Sequence, residues 1–158
     1  MGLTVAKEAP TKKASTTVKP KAPLAHCDEC PLKDRTPVFG EGPERAVLVI
    51  VGEGPGSSEE RAGRPFVGRS GKLLRAICAN KNVDLRRVYV TNATICYSPT
   101  SNAKVVNQAM KACNDRLRAE VKSRNPKAVL ALGAVAMHAL GRPGSITKLR
   151  GTWSEVEL

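Results

Sequence analysis

The sequence predicts an α/β domain built around a parallel sheet. Three short runs typical of strands alternate with segments of helical apolar spacing; the runs occupy residues 46–51, 88–92 and 128–132. Strands that alternate with helices form parallel sheets through right-handed crossovers. Such sheets bind ligands beyond the carboxyl ends of their strands, so we expect a functional site at residues 52–56, 92–99 and 133.

The first predicted strand is a continuous apolar run, as expected for a strand buried on both faces, and it ends at Gly52. A glycine-rich loop is predicted from residue 52 to residue 68. Ser70 then begins a helix. The apolar residues of this helix are predicted to share one side, and they are Leu73, Leu74, Ile77 and Cys78.

The second predicted strand, 88–92, leads through a polar loop into a long helix. The apolar stripe of that helix is formed by Val106, Met110, Cys113, Leu117 and Val121. We expect the helix to end near Pro126, because the residue before a proline disfavours helical backbone. The third strand, 128–132, precedes a short helix at 134–140 that is closed by Gly141.

Composition excludes several classes of protein. With 158 residues and 41 % hydrophobic content, the chain is long enough for one domain with an ordinary core and too apolar to be wholly disordered. No Gly-X-Y repeat indicates a fibre. No apolar run approaches the roughly 20 residues of a membrane helix, and the N-terminus has no apolar signal segment. We therefore expect a cytoplasmic protein without membrane association.

The formal net charge of +12 predicts a polyanionic partner. Aromatic residues make up 3 % of the chain, too few to stack every base of a single strand, so phosphate contacts would supply most of the affinity for a nucleic acid. Residues 1–26 carry five lysines against one glutamate and have no amphipathic period, which predicts a disordered basic arm or linker. We place the folded domain at 27–158.

Four of the five cysteines form a candidate metal site. Cys27 and Cys30 have the C-x2-C spacing that lets two thiolates approach one metal, a spacing that redox pairs share. Cys96 follows the second predicted strand, and Cys113 lies on the apolar stripe of the next helix, where a purely buried role is the alternative. Four thiolates suffice for zinc or for a [4Fe–4S] cluster, and spacing does not choose between them. Cys78 is predicted to be a small buried hydrophobic residue.

The loop that begins at Gly52 follows a strand, as nucleotide-binding loops do. It runs Gly52-Glu-Gly-Pro-Gly56, which departs from G-x-G-x-x-G, and it lacks the Lys-Ser/Thr pair of a P-loop. We therefore do not predict the phosphate-binding loop of an NTPase. Backbone amides in such a loop can still bind an anion or the edge of a base.

Together with later motifs, this loop resembles the first motif of the family-4 uracil-DNA glycosylases. The matching motifs run from residue 52 to residue 74 and continue at Thr91-Asn92, Pro99, Leu132-Gly133 and 147–151. The same module resembles the glycosylase-like domain of some phage DNA polymerases. The resemblance covers residues 27 to about 153. It implies a three-layer α/β/α fold with a central parallel sheet.

The resemblance also implies an activity and a cofactor. The family hydrolyses the N-glycosidic bond of uracil in DNA during base excision repair and holds a structural [4Fe–4S] cluster. Four cysteines match its ligands in order and approximate spacing: Cys27, Cys30, Cys96 and Cys113. The expected partner is single-stranded or uracil-containing DNA in a bacterial or phage-infected cell. We expect a monomer, with a DNA polymerase or replication proteins as further partners.

Individual residues match the family's pocket. Phe66 matches the aromatic residue that stacks on the flipped base. Asn92 matches the residue that reads the uracil edge, since an amide can accept from the ring N–H and donate to the carbonyl. Glu53 is expected to orient water or to stabilise positive charge on the sugar. Glycines are expected to let the backbone approach the base and sugar, and they are Gly52, Gly54 and Gly56.

The sequence departs from the family pattern in two places. The family's later His-Pro-Ser-Pro-like loop, which supplies an oxyanion-binding histidine and a duplex wedge, has no counterpart in residues 1–158, nor do the final strand and helix of the fold. The Lys-Cys-Arg-Pro that often follows the asparagine is replaced at 95–99, with loss of two basic groups. These departures predict slow excision that favours single strands. They leave open a non-catalytic DNA-binding domain associated with a phage-type DNA polymerase.

Overall fold

The central sheet confirms the predicted α/β class. A computed structural model describes residues 21–156, in which β1 spans Leu48–Gly52, β2 spans Val88–Asn92 and β3 spans Ala128–Ala131. Within that range the strands are all parallel and lie in the order β2-β1-β3. β1 starts two residues later than predicted and includes the glycine at its end, β2 has the predicted bounds, and β3 ends one residue early.

The ends of β1 and β2 lie side by side. Their ladder finishes with Gly52 opposite Asn92. Beyond the strands, the Ala93 N–H donates to the Gly52 carbonyl at 2.8 Å and the Thr94 N–H donates to the Glu53 carbonyl at 3.0 Å. The two loops that follow these strands are therefore held together at the edge where parallel sheets bind ligands.

Helices cover both faces of the sheet in a three-layer arrangement. They are α1 (Ser57–Ala62), α2 (Arg69–Asn80), α3 (Ala103–Ser123), α4 (Ala134–Ala139) and α5 (Ile146–Leu149), with 3-10 turns at Cys27–Glu29 and Leu85–Arg87. On one face, Val49 of β1 packs with Leu117 of α3 and Ala136 of α4. On the other face, Ile50 packs with Cys78 of α2. None of the helices in residues 21–156 could span a membrane, given their length and polarity.

The α2 helix buries a narrower stripe than the sequence predicts. Cys78 is buried and Leu74 packs against its cluster, but Leu73 is 62 % exposed and Ile77 is 49 % exposed. The predicted apolar side is therefore only partly buried. Adjacent helical residues point about 100° apart, so the four residues form two i, i+4 pairs. The small sheet covers the pair Leu74 and Cys78 and leaves the pair Leu73 and Ile77 exposed.

The α1 helix lies within the segment that was predicted to be a loop. Gly56 is its N-cap, and Gly63, in the left-handed region with a φ of 65°, is its C-cap. Glu59 reaches back to the Gly56 N–H, which is one half of a capping box. The glycines of this loop therefore delimit a helical turn as well as approach the site.

The predicted basic arm, 1–26, lies outside the described residues as far as residue 20. Its last six residues pack into the fold. Ala22 and Ala25 are buried, and the His26 N–H donates to the Ala112 carbonyl of α3 at 2.8 Å. Packing at this end of the predicted arm extends back at least to Ala22. Alanine contributes little to a hydrophobicity pattern but permits close approach of backbones.

Candidate active site and cysteine cluster

Gly52, Asn92 and Phe66 meet at the carboxyl edge of the sheet. Gly52 ends β1 and Asn92, its register partner, ends β2. A Cβ at Gly52 would overlap the Asn92 Oδ1 atom and would lie 2.9 Å from the Phe66 Cζ atom. The missing side chain therefore allows the amide and the ring to converge. The structure brings these three predicted site residues together.

Asn92 is a largely buried residue at the end of β2. Asn92 is 4 % exposed, and its side chain makes no hydrogen bond within residues 21–156. In the described residues, the buried side-chain polar atoms that lack a partner are the Nε atoms of Arg116 and Arg124, so the Asn92 amide atoms retain contact with solvent. The amide is therefore available to hydrogen-bond a ligand.

Phe66 lies in a strained and braced loop. Its φ of 56° is in the left-handed region, which is unfavourable for a bulky side chain. Gly71 of α2 leaves no room for a Cβ against the Phe66 carbonyl. Arg64 donates to both carboxylate oxygens of Glu41, at 3.1 and 2.7 Å, and this hydrogen bonding lowers the pKa of Glu41. The loop is held in a conformation that an unconstrained phenylalanine would avoid.

The Glu59 carboxylate links the N-termini of α1 and α2 on either side of the Phe66 loop. Its carboxylate accepts a hydrogen bond from the Gly56 N–H at 3.0 Å and another from the Gly68 N–H at 2.6 Å. Gly56 is the N-cap of α1 and Gly68 is the N-cap of α2. A Cβ at either glycine would come within 3 Å of the carboxylate. Because the Gly56 N–H is already bonded, that glycine serves to position Glu59.

Glu53, the predicted catalytic carboxylate, is exposed. Its side chain has no hydrogen bond or ion pair within residues 21–156. Thr94 binds its carbonyl oxygen and lies against the next residue, since a Cβ at Gly54 would be 2.5 Å from the Thr94 Oγ1. The backbone of this loop is fixed while the Glu53 carboxylate remains free to meet a ligand.

The four predicted ligand cysteines share one buried cluster. Cys27 and Cys30 flank a 3-10 turn, Cys96 lies in the β2–α3 loop, and Cys113 lies in the middle of α3. All four are less than 9 % exposed, carry free thiols and pack in the same apolar cluster. Burial raises the pKa of the Cys30 thiol, and the charges of Cys113 and Cys27 raise it further. Three separate chain segments thus bring thiols close enough to repel one another when charged.

Donors and a positive charge surround these sulfurs. The Leu32 N–H donates to the Cys30 Sγ atom and the Lys21 N–H donates to the Cys27 Sγ atom, both at 3.4 Å. The Lys21 ammonium lies 3.6 Å from the Cys96 Sγ atom. Burial raises the pKa of Cys96, and the Lys21 charge opposes that rise. Such donors stabilise thiolates, the form that binds metal.

The side chains of residues 21–156 form no closed site for a single metal ion. In residues 21–156, no three His, Cys, Asp or Glu side chains are close enough to ligate one ion. Zinc requires four sulfurs about 2.3 Å from a single centre. Cys78, as predicted, stands apart from this group, in the cluster on the opposite face of the sheet.

Comparison with known proteins decides the family. The family model of the uracil DNA glycosylase superfamily matches residues 39–155. The type-4 uracil-DNA glycosylase of Thermotoga maritima is 40 % identical over 129 residues, which are 79 % of this chain and 67 % of that protein. The chain belongs to the uracil-DNA glycosylase superfamily. The sequence-based recognition is confirmed.

Two further relatives show how much of a longer protein the chain matches. The type-4 uracil-DNA glycosylase of Pyrobaculum aerophilum is 36 % identical over 119 residues, 74 % of this chain and 60 % of that protein. A DNA polymerase of Bacillus phage SP01 is 27 % identical over 121 residues, 77 % of this chain and 13 % of the polymerase. The chain therefore spans about three-fifths to two-thirds of the length of these two glycosylases and a small part of the polymerase.

Two buried polar residues of this superfamily member were not assigned a site role from its sequence. Glu59 received no role from the sequence, although its spacing of three from Gly56 is that of a capping box. Arg116 lies beside the apolar stripe of α3 and is 5 % exposed. Its i, i+4 spacing to Glu120 was the available signal for an ion pair.

Proposed function

We propose that this chain removes uracil from DNA by hydrolysing its N-glycosidic bond, as an enzyme of base excision repair. The observation that carries the proposal is the convergence of the unpaired Asn92 amide and the Phe66 ring over Gly52. The relatives named type-4 uracil-DNA glycosylase support it, since they match across the segments that hold all three residues.

Asn92 is proposed to recognise the base. A carboxamide offers one acceptor and one donor group side by side. Uracil presents a ring N–H next to a carbonyl oxygen, which pair with the amide oxygen and the amide N–H. Cytosine presents the reversed pattern at the same positions. Phe66 would stack on the base after it leaves the strand's own stacking.

Glu53 is proposed to assist bond cleavage. Departure of the base leaves a uracil anion and positive charge on the sugar, so placed charges and donors stabilise the transition state. The exposed Glu53 carboxylate is free within residues 21–156 to orient a water molecule or to stabilise the sugar cation. The backbone of Gly54, which has no side chain, can approach the sugar closely.

We propose that Cys27, Cys30, Cys96 and Cys113 bind a [4Fe–4S] cluster. Four buried thiols with surrounding donors suit an anionic iron–sulfur centre. When bound, the cluster supplies a covalent cross-link between chain segments, and uracil excision requires no redox step. Zinc is the alternative that iron analysis would reveal.

Uracil release under single-turnover conditions tests the proposal. The substrate is a single-stranded oligonucleotide with one uracil, and the iron-loaded chain is in excess. We expect Asn92→Ala and Phe66→Ala each to lower the rate by about 100-fold, as loss of a transition-state contact does. Asn107→Ala, an exposed asparagine of α3, is the matched control and should stay within about twofold. Absence of release from any uracil-containing strand would overturn the proposal.

A second candidate function is DNA binding without catalysis. The similarity to the phage DNA polymerase favours it, because there the matching module is 13 % of a much longer protein. The same assay distinguishes the two functions. Tight, salt-sensitive binding of the oligonucleotide with no release of uracil would support the binding domain, and release that depends on Asn92 would exclude it.

A further inference from the structure

Arg116 is a buried cation that contacts the end of β2 from α3. It is 5 % exposed. Its Nη2 atom donates to the carbonyl oxygens of Asn92 and Ala93 at 2.8 and 2.9 Å. Its Nη1 atom donates to the Thr91 hydroxyl at 3.4 Å and pairs with the Glu120 carboxylate. One guanidinium therefore binds three successive residues around the asparagine of the site.

These contacts bear on the direction of the Asn92 side chain. The two carbonyls bound by Nη2 belong to the two peptide planes that follow the Asn92 Cα atom. The first of these planes adjoins the Asn92 Cα atom, so holding it restrains the backbone from which the side chain projects, and holding the second plane restrains the backbone of Ala93. Gly52 constrains the same residue from the β1 side, because it lies directly opposite Asn92. Arg116 and Gly52 therefore constrain the position of the Asn92 amide from two sides. The amide oxygen and nitrogen themselves have no hydrogen bond within residues 21–156.

A second layer of contacts orients the guanidinium. Glu120 accepts from Arg116 and also from the Tyr89 hydroxyl at 2.7 Å. Arg124 lies 4.2 Å from the centre of the Tyr89 ring and donates to its hydroxyl at 3.3 Å. Burial and the Glu120 carboxylate raise the pKa of Tyr89 to about 12, so its hydroxyl stays a donor near neutral pH. Gly40 leaves room for the hydrogen bond between Tyr89 and Glu120. A Cβ at this glycine would lie 2.5 Å from the Tyr89 hydroxyl oxygen and 2.5 Å from the Glu120 Oε1 atom.

We propose that Arg116 is a positioning residue for base recognition, and that its guanidinium sets the Asn92 amide at the angle that reads the uracil edge. This inference rests on the proposed function. Arg116 does not itself contact the base, since it lies on the α3 side of β2. Lysine cannot replace it, because one ammonium lacks the planar fork that reaches two carbonyls and a carboxylate together.

A double-mutant cycle between Arg116→Lys and Asn92→Ala tests the inference. We expect Arg116→Lys to lower the single-turnover rate of uracil release about tenfold or more. Its Kd for a uracil-free single strand should stay within about twofold, because Arg116 is buried away from DNA. In the Asn92→Ala background, the same substitution should cause no further loss. Lys111→Met, which removes one exposed positive charge from α3, is the matched control.

A second measurement is independent of activity. Arg116→Lys should speed hydrogen–deuterium exchange of the peptide that covers 90–95, whereas Lys111→Met and the wild type should agree. Glu120→Gln keeps Arg116 and should produce a smaller loss of rate, which covers the case in which Arg116→Lys folds poorly. Equal losses of rate in both Asn92 backgrounds, or unchanged exchange in 90–95, would overturn the inference. If the wild type releases no uracil, the proposed function fails, and the exchange comparison still decides the role of Arg116.

Discussion

Gly52 and Asn92 are register partners at the end of the β1–β2 ladder, and the asparagine amide oxygen occupies the space where a Gly52 side chain would begin. The Phe66 ring closes the same space from the loop before α2. The candidate site therefore depends on an absent side chain as directly as on the two that converge. Its geometry is set by backbone pairing, which is more rigid than a contact between two long side chains.

Gly52→Ala should lower the rate of uracil release while the domain still folds. The new Cβ would displace the Asn92 amide and the Phe66 ring, so we expect uracil release to slow about 100-fold. Gly63→Ala is the control, since that glycine has a positive φ and nothing within 4 Å of its Cβ position. It should cost about 1 kcal/mol of stability and leave the rate almost unchanged. Equal rates for the two variants would contradict this account of the pocket.

Asn92→Asp should change which base is read. The substitution keeps the shape of the side chain but replaces the amide donor with a carboxylate oxygen, so the uracil carbonyl loses its partner. We expect a fall in uracil release of about 100-fold and a measurable gain in cytosine release relative to uracil. Asn107→Asp adds the same charge on exposed α3 and should change neither rate. Wild-type rates in Asn92→Asp would show that another residue reads the base.

Glu59→Gln should loosen the loop that carries Phe66. A neutral amide retains one acceptor oxygen, so either the Gly56 N–H or the Gly68 N–H loses its partner. A buried donor without a partner costs about 1–3 kcal/mol, which calorimetry would record as a lower Tm. The rate of uracil release should fall with it. Glu60→Gln, whose carboxylate forms the longer 3.7 Å pair with Arg35, should have a smaller effect on both measurements.

Cys113→Ser should release iron and destabilise the domain, whereas Cys78→Ser should retain it. Both cysteines are buried, but Cys113 belongs to the four-thiol cluster and Cys78 packs on the opposite face of the sheet. Protein purified without oxygen should contain about four iron and four sulfide per chain, measured by metal analysis. Stoichiometric zinc without iron would contradict the cluster assignment. Equal iron loss in Cys78→Ser would contradict the choice of ligands.

Affinity for single-stranded DNA should fall steeply with salt, because the +12 charge acts through phosphate contacts. Replacing the four lysines of residues 1–20 with glutamine should flatten a plot of log Kd against log salt by up to about 3 units. Truncation at residue 20 is a second variant, chosen because Ala22 and Ala25 are buried. Far-ultraviolet dichroism should confirm that both variants fold. An unchanged slope would exclude a role for this segment in binding.

The sequence predicted the structure best where a residue pattern is typical of a single structural element. Short strand-like runs predicted the three strands, and the bounds of β2 agree at both ends. Cysteine spacing predicted which four thiols share a cluster. The helical stripe of α2 was predicted less well, because spacing alone does not say how wide a face the sheet covers. Leu73 and Ile77 are exposed for that reason.

What the sequence alone determined was the order of strands and helices, the edge of the sheet at which a site forms and the identity of its chemical groups. Those follow from local preferences and from the parallel topology they impose. What the tertiary structure decided was which polar groups are consumed internally and which remain free. Glu59 is used by two backbone amides and Arg116 by two carbonyls and a carboxylate, whereas the Asn92 amide has no partner within residues 21–156. Such pairing depends on distances between segments far apart in the chain, and no local pattern records those distances.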